Sequence, residues 1–423
     1  MRRDVTAWVA IFWLAIPLAL WAQEPIDVVT IHEGGDPARV IDLVILGDGY
    51  TIDEQDRFTS DARQLLDSFF SLDILGNYRD FMNIHLVYLA SNESGADHPN
   101  DGIYVDTALD ATYGTTIPRL LTVNRTKAQT AAAYAPDMDE MLVIVNDSTY
   151  GGSGSTQLAV TYNGSAMTAV GVHEYGHSFA FLADEYGGND CYGGSEPGEV
   201  NVTIATERET IPWAVWIDPD TPLTQPDGEP GTPNGTPGVG IFVGGRYYDR
   251  CIYRPQESCE MRALYQGFCA VCKEQFVKRI YTFTDPIEGW TPETESVSVE
   301  RTSGTVSFAV ETREPVTKLS HQWYLDGEAI EGATDTTLLL DVSRLEPGTY
   351  TVSVKVWDPT ELVRNDPSGL LSSEHAWSLE VTSVICGFSP RGLRFAPLFF
   401  LLFLLPLACL RHRRERHPWE PTS

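Results

Sequence analysis

The chain has 423 residues, too many for one ordinary domain, and its 43% hydrophobic and 21% charged residues describe a folded chain rather than a disordered one. Its 29 basic residues against 59 acidic ones leave a net charge of -30, which argues against the basic face that a nucleic-acid partner requires. We therefore expect no nucleic acid among its partners.

The N-terminus has the pattern of a secretory signal peptide. Arg2 and Arg3 precede an apolar run from Ala7 to Ala22 that is interrupted by Pro17. We predict that residues 1–22 are the signal peptide and that the protein is exported. An uncleaved anchor is the alternative.

Residues 23–286 predict an α+β domain with a mixed sheet. Buried strands are expected at 40–46, 82–89, 141–145 and 158–162, an amphipathic helix at 54–72 and a further helix near 271–281. Asp48, in the turn after the first strand, could bind a structural calcium or cap a helix. The Gly-rich segment 151–154 predicts a loop, and residues 187–244 predict the loops that line a cleft.

His173-Glu174-Tyr175-Gly176-His177 has the pattern H-E-x-x-H. Histidines four positions apart lie on one face of a helix, so both can bind one Zn²⁺ while the Glu lies beside the open coordination position. The run from Ala166 to Val172 is small and apolar, which predicts a buried helix and makes an accidental match on a solvated helix the weaker interpretation. The pattern predicts one catalytic zinc bound by His173 and His177, with Glu174 as the general base that hydrolyses amide bonds.

A catalytic zinc requires a third protein ligand and one open position. We predict Asp184, although in an unbroken helix it would lie about three turns from His173. The prediction therefore requires that the helix, expected to run to Phe181, breaks near that residue. Glu196 and Glu199 are the alternative third ligands.

Five of the seven cysteines lie in the middle of the chain, which favours disulfides in an exported protein. Cys269-Ala270-Val271-Cys272 is a C-x-x-C motif that could be redox-active or form one half of a zinc knuckle. No second C-x-x-C accompanies it, so a structural role is favoured. Because the count is odd, one thiol is expected to stay free, and the pairing is open among Cys191, Cys251, Cys259, Cys269 and Cys272.

Residues 295–383 predict an all-β domain. Short strands are separated by turns such as Asp326-Gly327 and Pro347-Gly348, and Trp323 lies early in one strand. This spacing predicts an immunoglobulin-like sandwich. It contains no catalytic constellation, so spacing, adhesion or substrate capture is the expected role.

Residues 384–423 predict a sorting or anchor tail. Residues 395–410 are almost wholly apolar, which is short for a membrane-spanning helix of about 20 residues. The basic residues at 411–416 would stay cytoplasmic. The tail resembles the sorting tails of bacterial surface proteins, and a permanent anchor is the alternative. The protein is therefore expected to be secreted or held at the cell envelope.

Several segments support a family resemblance over about residues 28 to 282, in chain order: Leu46–Tyr50, Ser91–Gly95, Tyr150–Gly152, His173–Phe179, Ala183–Tyr186, Glu199–Thr203, Tyr253–Pro255, Cys259–Arg262 and Phe268–Cys272. Together they resemble peptidase family M64, the IgA peptidase or igalysin family. The chain departs from that pattern at Phe181, where the family often has Gly, and at Val200, where it tends to have Pro.

The resemblance implies a zincin-like zinc endopeptidase in which Glu174 passes a proton from water to the leaving amine. Cys259-Glu260-Met261 is similar to the Met-turn below the zinc of metzincin-like enzymes, and an ordinary core methionine is the alternative. Tyr248, Tyr253 and Arg262 could stabilise the oxyanion. Substrate preference is not implied.

We therefore expect an exported bacterial zinc endopeptidase that acts on extracellular proteins or peptides. The alternative is a catalytically inactive surface adhesion or binding protein built on a peptidase-like core. The intact Glu174 argues against it. The sequence leaves the natural substrate and the oligomeric state open.

Overall fold

The computed structural model describes residues 27–383. The predicted signal peptide (1–22) and the predicted tail (384–423) lie outside the described residues. No helix within 27–383 is both long and apolar enough to cross a membrane. In chain order, the elements up to residue 280 are β1 (Asp27–His32), β2 (Ile41–Asp48), α1 (Gln55–Ser71), α2 (Asp73–Asn77), β3 (Met82–Tyr88), β4 (Thr112–Tyr113), β5 (Leu121–Thr122), α3 (Arg125–Ala132), β6 (Glu140–Val145), β7 (Gly152–Ser155), β8 (Leu158–Tyr162), α4 (Met167–Ser178), β9 (Asn189–Cys191), β10 (Phe242–Gly245), β11 (Tyr248–Arg254) and α5 (Ala270–Ile280).

A six-stranded mixed sheet organises this region, with strand order β1-β3-β2-β6-β8-β7. The four central strands are parallel, and the two edge strands, β1 and β7, are antiparallel to their neighbours. Every residue of β2, β3, β6 and β8 is buried, as expected for parallel strands covered on both faces. The predicted mixed sheet is therefore present, and the predicted buried strands correspond to these four.

Alternate residues of each central strand enter two different cores. Ile41, Leu43 and Ile45 share one core with α1, α4 and α5. Val44 and Leu46 share the other with α3 and the segment around Leu109 to Leu121. The sheet thus lies between two layers, and α4 packs directly on it.

The segment predicted as a loop at 151–154 is instead the edge strand β7, which pairs with β8. Glycines in a sequence usually predict a loop. In β7 they are required instead because the strand passes too close to α4 for larger side chains. An alanine Cβ at Gly154 would lie 2.6 Å from the Glu174 carbonyl oxygen.

Residues 187–244 are mostly irregular, as predicted, and a small sheet of order β10-β11-β9 joins this segment to the residues that follow it. A disulfide joins Cys191 in β9 to Cys251 in β11. Asp48 does not cap a helix. It also faces backbone N–H groups, whereas a calcium ion would require oxygen ligands around it. Its two carboxylate oxygens accept hydrogen bonds from the amides of Leu109 and Ala111, at 2.8 and 2.9 Å. It therefore anchors the loop that precedes β4.

A two-sheet β domain follows. Its strands are β12 (Ile287–Thr291), β13 (Ser296–Glu300), β14 (Thr305–Thr312), β15 (Ser320–Leu325), β16 (Glu328–Ala329), β17 (Thr337–Asp341), β18 (Gly348–Trp357) and β19 (Ser372–Thr382). The sheets have the orders β12-β14-β17 and β13-β19-β18-β15-β16. Both contribute to one core, in which the fully buried Trp323 stacks on Trp377. The domain begins with β12, before the predicted boundary at 295, and its immunoglobulin-like assignment stays a prediction.

The β domain packs against the first region, and the described residues 27–382 belong to one compact unit. The buried Asp358 carboxylate accepts hydrogen bonds from the hydroxyls of Tyr78 and Tyr281, at 2.6 and 2.8 Å. Arg313 donates to the carbonyls of Gly34 and Asp80. The β domain is therefore packed on the first region through specific hydrogen bonds.

Candidate active site

The helix α4 carries the H-E-x-x-H residues and is almost entirely buried. Its small residues allow close packing on both sides. A Cβ at Gly171 would lie 2.7 Å from Leu65 of α1, and a Cβ at Gly176 would lie 2.7 Å from the sulfur of Met261. Met261 thus lies against the same helix as the two histidines.

The helix ends at Ser178, three residues earlier than predicted. The amide of Leu182 donates to the carbonyl of Gly176, six residues back, and Phe181 has φ = +56°. This is the left-handed C-terminal cap that glycine usually supplies. The chain turns back there, so the break required for Asp184 exists although the residue is Phe.

The turn brings Asp184 to the two histidines. Its Oδ1 lies 3.0 Å from Nε2 of His173 and 3.3 Å from Nε2 of His177. The donor atoms of these three residues all lie within 4.8 Å of one another. The alternative ligands point to other partners: Glu196 contacts Thr203, and Glu199 pairs with Arg246 at 3.2 Å.

Backbone carbonyls fix the orientation of both rings. Nδ1 of His173 lies 2.9 Å from the Glu260 carbonyl oxygen, and Nδ1 of His177 lies 2.6 Å from the Leu182 carbonyl oxygen. Because a carbonyl oxygen only accepts, each Nδ1 carries the hydrogen, and Nε2 of a neutral ring directs its lone pair at Asp184. Lone pairs and a carboxylate at this separation repel one another unless a cation lies between them. The donor set therefore fits a metal ion such as zinc.

The pKa shifts of the three side chains also favour positive charge beside Asp184. Burial lowers the pKa of His173, but the Asp184 carboxylate outweighs it and raises that pKa to about 9. Burial also lowers the pKa of His177, but the Asp184 carboxylate again outweighs it and raises that pKa above its ordinary value. Burial raises the pKa of Asp184, yet the two imidazoles beside it hold that pKa well below its ordinary value.

Glu174 lies beside this cluster, at a cavity of about 300 Å³ that is lined by Arg119, Tyr150, His173, Glu174, Tyr186 and Arg262, among others. Burial raises the pKa of the Glu174 carboxyl, although the neighbouring histidines act to lower it. A carboxylate with a raised pKa is a stronger base, which suits proton transfer near neutral pH. Of the three residues considered for the oxyanion, only Arg262 lines the cavity.

Tyr247, Tyr186 and Arg119 were missed by the sequence reasoning. The Tyr247 hydroxyl donates to Oδ2 of Asp184, and Arg119 donates to the Tyr186 hydroxyl at 3.0 Å. Burial and the Asp184 carboxylate hold the pKa of Tyr247 well above its ordinary value, so its hydroxyl remains a donor. The only sequence feature that could have indicated Tyr247 is Gly244-Gly245, shortly before two tyrosines. This pair predicts a tight turn but does not predict that the turn contacts Asp184.

Comparison with known proteins identifies one family. Residues 29–230 match the family model described as IgA Peptidase M64. That range includes the H-E-x-x-H helix and Asp184. No curated protein matches the chain.

Similar solved structures include the extracellular domain of the one component system BT4673 from B. thetaiotaomicron and the endo-beta-1,4-mannanase from Thermotoga petrophila. The first is 13% identical with a TM-score of 0.16, over 21% of this chain and 12% of that one. The second is 10% identical with a TM-score of 0.17, over 34% and 31%. The chain spans less than a third of either, and neither likeness supports a functional argument. The family match covers residues 29–230 and supports the predicted resemblance to the IgA peptidase M64 family.

Proposed function

We propose that this protein is an exported zinc-dependent endopeptidase that cleaves peptide bonds of extracellular proteins. One observation supports the proposal above all others. The Nε2 atoms of His173 and His177 converge within 3.3 Å on one carboxylate oxygen of Asp184, with Glu174 at the adjoining cavity.

His173, His177 and Asp184 would hold the zinc. Three protein ligands leave one position open, as catalytic zinc sites require. When bound, zinc supplies a Lewis acid that activates water and polarises the scissile carbonyl. The carbonyls of Glu260 and Leu182 hold both imidazoles with their Nε2 atoms toward Asp184, where the ion would bind.

Glu174 would move the proton. Its carboxylate accepts a proton from the attacking water, whose oxygen forms the new bond to the scissile carbon. It then gives the same proton to the amine nitrogen as the carbon–nitrogen bond breaks. Burial favours the protonated form of Glu174, so the carboxyl can hold the proton between the two transfers.

The cationic side chains at the cavity would stabilise the charge that develops on the scissile oxygen. Arg119 and Arg262 both line the cavity. Such donors contribute most when they are held in place before the reaction. Arg119 is held by the Tyr186 hydroxyl.

The test is metal content together with casein cleavage by the full chain, with and without a chelator. We expect zinc, and cleavage that the chelator abolishes and added zinc restores. Glu174→Ala should retain zinc and fold but lose about 10²-fold or more in rate. Asp184→Ala should lose the zinc that His173 and His177 hold.

Two outcomes would contradict the proposal. Zinc retained with no cleavage of any unfolded protein would favour the inactive binding protein instead. Cleavage that Glu174→Ala leaves unchanged would remove Glu174 from the mechanism. Export rests on the sequence patterns at 1–22 and 384–423, and fractionation of the producing bacterium would test it.

A further inference from the structure

A second cluster of metal-binding side chains lies next to the candidate active site. It consists of Glu185, Cys259, Cys269 and Cys272, which are all buried. One donor atom from each residue lies within 4.8 Å of the other three. None of the three cysteines forms a disulfide, whereas Cys191 and Cys251 do.

The distances fit a shared metal ion better than a disulfide. The Sγ atoms of Cys259 and Cys272 lie 3.7 Å apart, and Sγ of Cys272 lies 3.6 Å from Oε1 of Glu185. A disulfide bond is only about 2.05 Å long. Zinc–sulfur bonds of about 2.3 Å in a tetrahedron place two sulfur ligands about 3.8 Å apart.

Backbone amides donate to two of the three sulfur atoms. The amide of Cys269 donates to Sγ of Cys259 at 3.4 Å, and the amide of Cys272 donates to Sγ of Cys269 at 3.5 Å. Cys269 is the N-cap of the eleven-residue helix α5. Amide donors and a helix N-terminus both stabilise a thiolate, which is the form that binds a metal.

One oxygen of the Glu185 carboxyl lacks a partner among the described residues. Its residue is fully buried, and Oε1 accepts a hydrogen bond from Asn201 at 3.0 Å. Oε2 is buried and has no hydrogen-bond partner within residues 27–383. Burial raises the pKa of Glu185 and the charge of Arg254 acts to lower it, but Nη1 of Arg254 donates to the carbonyls of Val243 and Gly244. A buried carboxylate in this state is costly unless a positive charge compensates it.

We propose that Glu185, Cys259, Cys269 and Cys272 bind a second zinc ion, in a site separate from the catalytic one. Four protein ligands close the coordination sphere, which is typical of a structural site. The C-x-x-C motif has no second C-x-x-C because Cys259 and Glu185 complete the set. This site goes beyond the proposed peptidase activity and does not depend on it.

The second metal would hold together three segments of the chain that adjoin the candidate active site. Glu185 directly follows Asp184, Cys259 precedes Met261 by two residues, and Cys272 lies in the first turn of α5. The amide of Glu185 also donates to the Met261 carbonyl at 2.7 Å. The second metal would therefore hold Asp184 in place through the neighbouring peptide.

Cobalt replacement in the full chain tests this site. Sulfur ligands give Co²⁺ an intense near-ultraviolet charge-transfer absorption, which two histidines and an aspartate cannot produce. We expect this absorption in the wild type and in the His173→Ala/His177→Ala variant, with zinc contents of two and one per chain. The difference between the two proteins measures the catalytic site, so failure of either proposal can be told from failure of the other.

Cysteine variants complete the experiment. Cys272→Ser should abolish the absorption, whereas Cys191→Ser/Cys251→Ser, which removes the disulfide instead, should leave it unchanged. If Cys272→Ser does not fold, the absorption of the wild type alone decides. Its absence, with either three reactive thiols or a new disulfide among Cys259, Cys269 and Cys272, would overturn the proposal.

Discussion

Tyr247 donates its hydroxyl hydrogen to Oδ2 of Asp184, while Oδ1 of the same carboxylate faces His173 and His177. Arg246 and Tyr247 both have positive φ, +50° and +68°, in the two-residue turn between β10 and β11. Their amides donate to the carbonyls of Asp184 and Tyr186, at 2.7 and 2.9 Å. The turn is strained, and these contacts to the segment after α4 hold it there.

Tyr247→Phe should weaken zinc binding because it frees one side of the Asp184 carboxylate. Loss of such an outer hydrogen bond commonly costs about 10- to 100-fold in metal affinity. Competition with a chromophoric chelator measures the change. Tyr248→Phe is the matched control, since that ring packs on Tyr192 and makes no hydrogen bond to Asp184. Unchanged zinc affinity with a large fall in kcat would show that Tyr247 acts on the substrate instead.

Gly154→Ala should lower activity by forcing β7 and α4 apart. The added Cβ would lie 2.5 Å from the His177 Cβ and 2.6 Å from the Glu174 carbonyl oxygen. Displacements of this size in an active site reduce rates by about 10-fold or more. The measurement is kcat/KM on one peptide. Gly198→Ala is the control, because its Cβ would meet nothing within 4 Å, and equal activity of the two variants would contradict the packing argument.

Phe181→Gly should be more stable than Phe181→Ala, by about 1 kcal/mol. Glycine normally destabilises relative to alanine, but at φ = +56° the alanine keeps the steric cost of the left-handed conformation. Both variants lose the contact of the ring with Arg279, whose guanidinium carbon lies 4.6 Å from its centre. Urea unfolding measures the difference. If alanine is equally stable or better, the left-handed cap is not maintained in solution.

The sequence could predict the strands and the metal-binding helix because their signals are local. The strand β2 contains the apolar run from Leu43 to Leu46, and α4 carries its histidines one turn apart. The edge strand β7 could not be predicted, since its glycines are required by contact with a helix that follows it. The same holds for Glu185, which meets Cys259 only after the chain has folded, 74 positions apart in sequence. The left-handed cap at Phe181 also lacks its usual residue.

Glu140 gives the fold a dependence on pH that a single substitution should remove. It begins β6 and is buried, and burial raises the pKa of its carboxyl to about 8. Its pKa in the unfolded chain is near the ordinary value of about 4.3. The folded state therefore binds the proton more tightly. Its contribution to stability is fully present below the unfolded pKa and is lost as pH rises toward 8.

Glu140→Gln mimics the protonated carboxyl, so at pH 5, less than one pH unit above the unfolded pKa, it should exceed the wild type in unfolding free energy by only about 1 kcal/mol. At pH 8.5 it should be more stable, by roughly a few kcal/mol, since one proton contributes about 1.4 kcal/mol per pH unit. Urea unfolding of both proteins in excess zinc measures this difference. The titration of all other groups affects the two proteins equally and cancels when their unfolding free energies are subtracted. Glu328→Gln, on the exposed strand β16, controls for loss of charge alone. A difference between wild type and Glu140→Gln that stays constant from pH 5 to 8.5 would mean that Glu140 does not keep its proton in the folded protein.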